Sequence, residues 1–208
     1  DVLRVPRYYC IGTHPTALPY NRGRHPLHWL IILGISKCQL SFFRLDEGID
    51  TGNLLIQIPF EIASEDSIAN VVSMMNQVGY QGICLLCDLL LKDSAYAGWE
   101  QDHPKANYWR KRSAHDVTLD LRMPVDTILK IVQSFAPPYP CANLIFGRQA
   151  IKVTQAHRVK TTLMAEELRR IEPGRIIDIE GRRIRVKAAD ELVDLECASM
   201  PDGLHKAK

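Results

Sequence analysis

The sequence has few of the features that mark membrane, secreted or nucleic-acid-binding proteins. Its longest apolar runs, 27–33 and 83–91, are too short to cross a bilayer, and they contain His28 and Asp88. No stretch has the pattern of a secretory signal peptide, and there is no internal repeat or low-complexity tract. The 26 basic and 24 acidic residues give a net charge of +2, so nothing demands a nucleic acid or an anionic membrane as partner. We therefore expect a globular protein of one or two domains without membrane contact.

Cysteine and histidine are present, but not in the spacing of a disulfide framework or a metal site. The six cysteines are scattered, which suits a reducing compartment and predicts a cytoplasmic protein. Cys84 and Cys87 are three residues apart in an apolar run without a second Cys or His pair nearby, which favours core packing over metal or redox use. His25 and His28 have a spacing that zinc ligands also use, but Trp29 and the apolar residues after it favour a packed helix. We predict no metal site.

The first half of the chain has the element order of the second half of an open α/β sheet. The predicted elements are a strand (8–11), a loop (12–24), a helix (26–33), a strand (38–43), an acidic loop (46–52), a strand (54–60) and a long helix capped at 64–66 and reaching Leu90. Pro59 predicts that the last strand lies at a sheet edge. The apolar positions of the long helix, Ile83 among them, recur at helical spacing and predict one buried face.

The second half changes character after a polar and aromatic stretch, 93–123, that has no clear pattern. A helix is predicted from Pro124 to Phe135, and Pro137-Pro138-Tyr139-Pro140 indicates a domain boundary. Short β-segments follow, including a predicted hairpin around Glu180-Gly181, and they are typical of a small β-barrel. The predicted divisions are a first domain (1–92), a linker with a helix (93–136), a small β domain (137–198) and a disordered tail (199–208).

Two loops carry the residues with the clearest chemical meaning. Gly12-Thr13-His14-Pro15 opens a segment dense in Pro and Gly, and Asp50 lies in the acidic loop. A carboxylate beside an imidazole orients the ring, selects its tautomer and stabilises its protonated form. An isolated His-Pro is usually an ordinary turn with a surface histidine. Here each loop follows an apolar, strand-like run, so we predict that the two loops form a site.

The motifs in and after these loops resemble those of the 10-formyltetrahydrofolate-dependent formyltransferases. They are His14-Pro15-Thr16-x-Leu18-Pro19, then Arg22-Gly23-Arg24-x-Pro26 with Trp29, then Asp46-Glu47-Gly48-Ile49-Asp50-Thr51-Gly52. The family includes methionyl-tRNA, glycinamide ribonucleotide and nucleotide-sugar formyltransferases. The resemblance implies an α/β, Rossmann-like catalytic domain, present here as its C-terminal half, followed by a small OB-like β-barrel domain. The resemblance also implies several dozen residues upstream of this chain, since family members have further strands before the His-Pro motif that supply one wall of the folate pocket. The start at Asp1 rather than Met agrees with a truncated chain, and we expect it to be inactive without that segment.

The resemblance also implies roles for residues in the first loop. Formyl transfer to an amine needs a proton carrier, a group that holds the carrier and a donor for the oxyanion. His14 is similar to the family's proton carrier and Asp50 to the carboxylate that holds it. The family's usual Asn-x-His has Gly12 at the oxyanion position, as in a subset of members that look like sugar formyltransferases. Three consequences stay open: a backbone N–H substitutes, protonated His14 carries more of the load, or activity is low.

Binding residues follow from the same resemblance. Arg24 and the segment Asp46, Glu47, Gly48, Ile49 and Asp50 resemble the residues that contact the co-substrate 10-formyltetrahydrofolate, with the backbone of 46–50 binding the pterin ring. The family uses no metal. Thr16, Tyr108, Arg110 and Arg112 are predicted to contact the acceptor substrate, although a solvated basic loop is the plainer interpretation of the last three.

The acceptor is predicted to be the amine of a nucleotide-linked amino sugar. The segment 107–116 resembles the Tyr-Arg-Arg…Asp-Gly segment of nucleotide-sugar formyltransferases, with Val117 and Leu121 in place of the usual Gly and Trp. Methionyl-tRNA formyltransferase is the alternative, but residues 141–196 have only 11 basic against 9 acidic residues, a weak basis for binding tRNA. A non-catalytic protein that binds folate or a sugar nucleotide is a third hypothesis. Dimerisation is common among the sugar enzymes, so a homodimer is also expected.

Overall fold

The computed structural model describes residues 2–200, and the chain forms two compact units. The first unit holds the residues up to 30 with 34–66 and 70–112, and the second holds 31–33, 67–69 and the residues from 113 onward. The domain bounds predicted near 92 and 136 stay predictions. Most of the predicted tail, from 201 to 208, lies outside the described residues.

The fold is mixed α/β, as expected. In chain order the elements are β1 (Ile11–His14), β2 (Arg22–Gly23), α1 (Pro26–Leu33), β3 (Lys37–Arg44), β4 (Leu54–Glu61), α2 (Ile68–Lys92), β5 (Tyr108–Trp109), α3 (Val125–Gln133), β6 (Ala142–Phe146), β7 (Gln149–Arg158), α4 (Ala165–Arg169), β8 (Ile176–Glu180), β9 (Arg183–Lys187) and β10 (Leu192–Cys197). Of the described residues, none belongs to a helix that is both long and apolar enough to cross a membrane.

A three-stranded antiparallel sheet organises the first unit, with the order β1-β3-β4. The central strand β3 is paired on both edges, and five of its eight residues are buried. Strand β4 lies at an edge of this sheet, which is where Pro59 predicted it. The predicted strand 8–11 was wrong in position. The strand starts at Ile11 and runs through His14, because the pairing of His14 with Ser41 extends β1 into the segment expected to be loop.

Helix α2 lies close against this sheet at Gly82. A Cβ atom there would lie 2.2 Å from Phe42 Cε2 and 2.9 Å from Ile58 Cδ1, so only glycine fits. Beyond Gly82 the predicted buried face is kept at Leu86, which is 3% exposed, but the prediction was wrong at Ile83, which is 56% exposed. Cys84 and Cys87 are also exposed and not packed in a core, so that prediction was wrong.

The two glycines of α2 provide a matched pair of stability variants. Gly82→Ala is expected to lower the free energy of unfolding by about 1–3 kcal/mol, since the methyl group forces Phe42 to move. At Gly79 the nearest atom to an added Cβ is Leu40 Cδ2 at 4.0 Å. Gly79→Ala should therefore be neutral or stabilising by up to about 1 kcal/mol, through the better helix propensity of alanine. Urea denaturation of both variants measures the difference, and equal midpoints would contradict the close packing.

The second unit contains a five-stranded antiparallel sheet with the order β6-β7-β10-β9-β8. The predicted hairpin is confirmed, since β8 and β9 pair from Glu180 and Arg183 outward. Helix α3, predicted from Pro124 to Phe135, covers one face of the sheet with its buried side. Within the described residues β6 and β8 do not pair with each other, so the barrel is not closed. An OB-like barrel stays a prediction.

An ionic cluster on this sheet makes the stability of the second unit depend on pH. Asp194 accepts hydrogen bonds from Arg185 Nε at 2.7 Å and from Arg183 Nη1 at 3.2 Å. These bonds hold the pKa of Asp194 below its ordinary value. Because the folded pKa is the lower one, the stabilisation is present above the unfolded carboxyl pKa and is lost as pH falls through the folded pKa.

Asp194→Asn is therefore expected to destabilise the protein by about 1–3 kcal/mol at pH 7, with the difference shrinking as pH falls below about 4. Glu172→Gln is a suitable control, since Glu172 is 69% exposed and its pair with Arg175 spans 3.7 Å. Thermal unfolding at several pH values measures both variants. A constant difference from pH 7 to pH 2 would show that the ionic bonds are not its source.

Candidate active site

The candidate site lies in the first unit, where β1 ends and the loop between β3 and β4 turns back. His14 is the last residue of β1 and is 4% exposed. Side chains alternate along a strand, so positions 12 and 14 point to the same face of the sheet. An Asn at position 12 would thus share that face with His14. With Gly12 at this position, that face has no side-chain amide beside His14.

His14 and Asp50 meet as the sequence predicted. The Nδ1 atom of His14 lies 3.5 Å from Asp50 Oδ2, and the same carboxylate oxygen accepts a hydrogen bond of 2.8 Å from the backbone N–H of Gly23. On the other side of the ring, Nε2 lies 2.8 Å from the carbonyl oxygen of Asn21. A carbonyl oxygen can only accept, so Nε2 carries the proton. Both ring nitrogens therefore face oxygen acceptors, which is the pairing that a doubly protonated imidazole requires.

Thr16 lies in the loop after His14, and its polar groups are used within the scaffold. Its hydroxyl donates to the carbonyl of Tyr20 at 2.7 Å, and its own carbonyl accepts from the Ser41 hydroxyl at 2.6 Å. The side chain is 1% exposed. These bonds fix the turn that brings Asn21 back to His14, and a contact of Thr16 with substrate stays a prediction.

The acidic loop begins with a turn closed by hydrogen bonds to Asp46, and the three residues that follow Asp46 are exposed. Asp46 Oδ1 accepts from the Gly48 N–H at 3.0 Å and from the Thr51 hydroxyl at 2.6 Å, forming a turn closed by the side chain. Glu47 is exposed and Ile49 is 63% exposed. The loop therefore presents main-chain polar groups and one apolar side chain to solvent, a surface that suits a flat heteroaromatic ring with polar edges.

The segment 107–109 joins the site through a short parallel pairing. β5 pairs with β2, placing Tyr108 opposite Arg22. The Arg24 N–H donates to the Trp109 carbonyl at 3.1 Å, while the Arg24 side chain is exposed. The Tyr108 hydroxyl accepts from Arg22 Nη1 at 2.9 Å. Two of the predicted binding residues, Arg24 and Tyr108, are thus held beside the segment that follows His14.

The other two, Arg110 and Arg112, lie against Trp29. Their guanidinium carbons are 5.0 Å and 5.8 Å from the centre of the Trp29 ring, and the indole N–H donates to the Arg110 carbonyl at 3.0 Å. Burial, followed by the charges of Arg24 and Arg112, lowers the pKa of the neighbouring His25. This part of the unit is electropositive and favours an anionic ligand.

Sequence analysis missed Gln101 and the burial of Arg22. Arg22 is 1% exposed and donates to Gln101 Oε1 from both Nε (3.3 Å) and Nη2 (2.7 Å). The local sequence did not indicate that Arg22 is buried and bonded to Gln101, since Arg22 stands in a loop rich in Gly and Pro and its partner is 79 residues away. The position of Arg22 inside a motif was the only available signal.

Gly12 is in close contact on the side where an asparagine would project. A Cβ atom at Gly12 would lie 2.5 Å from Leu45 Cδ2 and 3.0 Å from Phe43 Cζ. Leu45 is partly exposed, and the conflicting atom is the end of its side chain. The present packing around Gly12 is therefore adapted to glycine, and an oxyanion donor has to come from another group.

The described residues contain no group of three or more His, Cys, Asp or Glu side chains arranged to bind a metal ion. Burial raises the pKa of the Cys38 and Cys197 thiols to about 11, so both stay protonated near neutral pH.

Comparison with known families identifies two consecutive matches that together take in most of the chain. Residues 1–86 match the family described as "Formyl transferase", and residues 111–203 match "Formyl transferase, C-terminal domain". His14, Asp50 and the two loops lie in the first match. Gln101 and Tyr108 lie between the two matches.

Solved structures share the fold at low sequence identity. HypX from Aquifex aeolicus in complex with tetrahydrofolic acid is 14% identical with a TM-score of 0.70, covering 90% of this chain and 31% of that chain. The N-formyltransferase from Helicobacter canadensis in complex with folinic acid and dTDP-3-aminofucose is 14% identical with a TM-score of 0.65, covering 90% and 65%. Methionyl-tRNA formyltransferase from Clostridium thermocellum is 20% identical with a TM-score of 0.57, covering 88% and 70%. The chain spans about a third of the length of the HypX structures.

Proposed function

The chain belongs to the formyl transferase family, and from that premise we propose that it transfers a formyl group from 10-formyltetrahydrofolate to the amine of a nucleotide-linked amino sugar. The observation that carries the proposal is the His14–Asp50 pair, in which both ring nitrogens face oxygen acceptors. The Asp50 carboxylate beside Nδ1 stabilises the protonated ring, and a histidine whose Nε2 is released from Asn21 can take a proton from the acceptor amine.

The reaction forms one bond and breaks another. The acceptor nitrogen attacks the formyl carbon, negative charge collects on the formyl oxygen, and the bond from that carbon to N10 of the folate breaks. The acceptor nitrogen loses one proton and N10 gains one. His14 can exchange that proton only through a nitrogen that has left its present acceptor, so the Nε2 bond to Asn21 has to give way to substrate.

Asp50 supports this exchange from the opposite side of the ring. Its Oδ2 atom is fixed by the Gly23 N–H at 2.8 Å and stabilises the ring while it carries the extra proton. Gly12 supplies no side-chain donor for the oxyanion. We propose that the protonated His14 ring takes part of that load, since charge-assisted hydrogen bonds are stronger than neutral ones.

The loop 46–50 and Arg24 are proposed to bind the folate. The exposed backbone of the loop suits the polar edges of a pterin, and Ile49 offers an apolar contact to its face. The Arg24 side chain is exposed at the opposite end of the first loop and can pair with the anionic tail of the co-substrate.

A sugar nucleotide is the proposed acceptor because an electropositive surface accompanies the site. Arg110, which is exposed, lies over the Trp29 ring, the buried Arg112 adds a second positive charge beside that ring, and Tyr108 lies beside β2 and is 55% exposed. Guanidinium groups match phosphate oxygens in geometry and charge, and aromatic rings can stack on a base. The likeness to the Helicobacter canadensis enzyme, named for its complex with dTDP-3-aminofucose, supports this choice. A cytoplasmic location and a homodimer are proposed with it.

The test is an acceptor panel with the full-length protein. It is incubated with 10-formyltetrahydrofolate and a set of amino-sugar nucleotides, with charged initiator tRNA in a parallel reaction. Mass spectrometry then looks for the gain of one formyl group. A formylated sugar nucleotide is the expected result. A formylated tRNA would show that tRNA, and not a sugar nucleotide, is the acceptor. Folate binding without any formylated product would overturn the enzymatic proposal and favour a protein that only binds folate.

A further inference from the structure

Gln101 makes four side-chain hydrogen bonds, which link β2 to the loop between β3 and β4. Both segments carry residues of the candidate site. The Gln101 Oε1 atom accepts from Arg22 Nε at 3.3 Å and Nη2 at 2.7 Å. Its Nε2 atom donates to the carbonyls of Asp50 at 3.0 Å and Gly52 at 2.7 Å. A glutamine amide has two N–H donors and one oxygen with two lone pairs, so these bonds use its full capacity.

The bonds to Asp50 and Gly52 fall where the chain has least freedom. Asp50 has φ of +56°, a left-handed conformation that is uncommon for residues other than glycine. A Cβ atom at Gly52 would lie 1.8 Å from the Arg44 carbonyl oxygen, so the loop is packed tightly against β3 there. Buried carbonyls need donors, and Gln101, which is 4% exposed, provides one for each.

The bonds to Arg22 anchor the other end. Arg22 is buried next to Gly23, and the Gly23 N–H is the donor that fixes Asp50 Oδ2 at 2.8 Å. Arg22 also donates to the Tyr108 hydroxyl at 2.9 Å. Gln101 therefore fixes the Asp50 backbone to the same short strand that fixes the Asp50 carboxylate.

We propose that Gln101 is a positioning residue for Asp50, and that it holds the carboxylate at the distance from His14 that transfer requires. This inference rests on the proposed function for its catalytic consequence, although the clamp itself is a structural claim. Gln101 lies outside both segments matched by the family comparisons, 1–86 and 111–203. The inference thus extends the site to a residue that those matches do not include.

The most informative variant is Gln101→Glu. A carboxylate keeps, and strengthens, the acceptor for Arg22, but it removes both N–H donors and places negative oxygen against the two carbonyls. The fold should survive because buried Arg22 stays paired, while the Asp50 loop is released. A displacement of a catalytic group by about 1 Å can cost on the order of 10²-fold in rate, so kcat is expected to fall by about 10–100-fold. Gln77→Glu makes the same charge change at an exposed position of α2 and should leave kcat unchanged.

A double-mutant cycle separates positioning from a general structural role. If Gln101 acts through Asp50, adding Gln101→Glu to Asp50→Asn should change kcat by no more than about twofold, because the carboxylate to be positioned is already gone. A full 10–100-fold loss in that background would overturn the proposal, as would a single variant with wild-type kcat. Should Gln101→Glu not fold, Gln101→Asn keeps the amide on a shorter side chain and should show a smaller loss with the same dependence on Asp50.

Amide hydrogen exchange tests the clamp without any turnover. In Gln101→Glu the segment 46–53 should exchange faster than in the wild type and in Gln77→Glu, while β3 stays protected. Unchanged exchange in that segment would overturn the clamp. If the wild-type protein formylates no acceptor, the proposed function fails, and the exchange experiment still decides whether Gln101 holds the loop.

Discussion

His14→Ala is expected to lower kcat for formyl transfer by about 10²–10⁴-fold while 10-formyltetrahydrofolate still binds. The loss corresponds to removing a general acid–base group from a reaction in which the attacking amine must give up a proton. His14 is buried, and its ring is held between Asn21 and Asp50. The turn at Asp46 in the proposed folate-binding loop is closed by its bonds to the Gly48 N–H and the Thr51 hydroxyl, which do not involve the His14 ring.

The measurement is single-turnover formylation together with folate binding by fluorescence. Thr13→Ala is the matched control, because Thr13 is an exposed neighbour on the same strand with its side chain on the opposite face. Its kcat should stay near the wild-type value. If both quantities stay unchanged in His14→Ala, the catalytic assignment is wrong. If binding and turnover are lost together and unfolding shifts, the variant has failed as a structural probe, and His14→Asn should then be used.

The strands and turns that were predicted well depend on local pattern. Strand β3 and the hairpin of β8 and β9 have strand-forming residues bounded by turn residues. The predicted helix 26–33 agrees with α1, and Gly34 after it has φ of +66°, the conformation that glycine favours after a helix. These features are decided within about ten residues of chain, so the sequence alone contains them.

The errors arise where distant segments decide the outcome. Strand β1 extends through His14 because it pairs with β3, about 30 residues away, and the Pro-rich stretch after it obscured that pairing. Ile83 follows the helical period but is exposed, although Leu86, three residues further on, is buried. Periodicity shows which residues share a face, but not what covers that face.

The candidate site was predicted in part for the same reason. His14 and Asp50 stand in motifs, and the structure brings them together. Gln101 and Arg22 are polar residues with no local sign of burial, and they are buried because they satisfy each other across 79 residues of chain. Polar networks of this kind depend on a complete set of partners, which a single sequence does not display.

Asp50→Asn is expected to reduce kcat by about 10²–10³-fold with a smaller effect on folate binding. Asparagine is among the few residues that accept a positive φ, so the backbone at +56° is preserved, whereas alanine would add strain. The amide oxygen can still accept from Gly23, which keeps the loop in place. The variant therefore removes the negative charge beside His14 Nδ1 and little else, and the loss reports on stabilisation of the protonated ring.

The same single-turnover assay measures this variant, with Asp88→Asn, an exposed residue of α2, as the control for the loss of one negative charge. A rise in the folate KM with unchanged kcat would mean that Asp50 acts in binding and does not support His14. A fall in kcat equal to that of His14→Ala, with no further loss in the double variant, would show that the two side chains act as one unit. A smaller fall would mean that His14 keeps part of its function without the carboxylate beside Nδ1. The size of the Asp50→Asn effect thus shows how much of the contribution of His14 to the rate depends on the Asp50 carboxylate. This contribution matters most in a site where Gly12 supplies no side-chain donor.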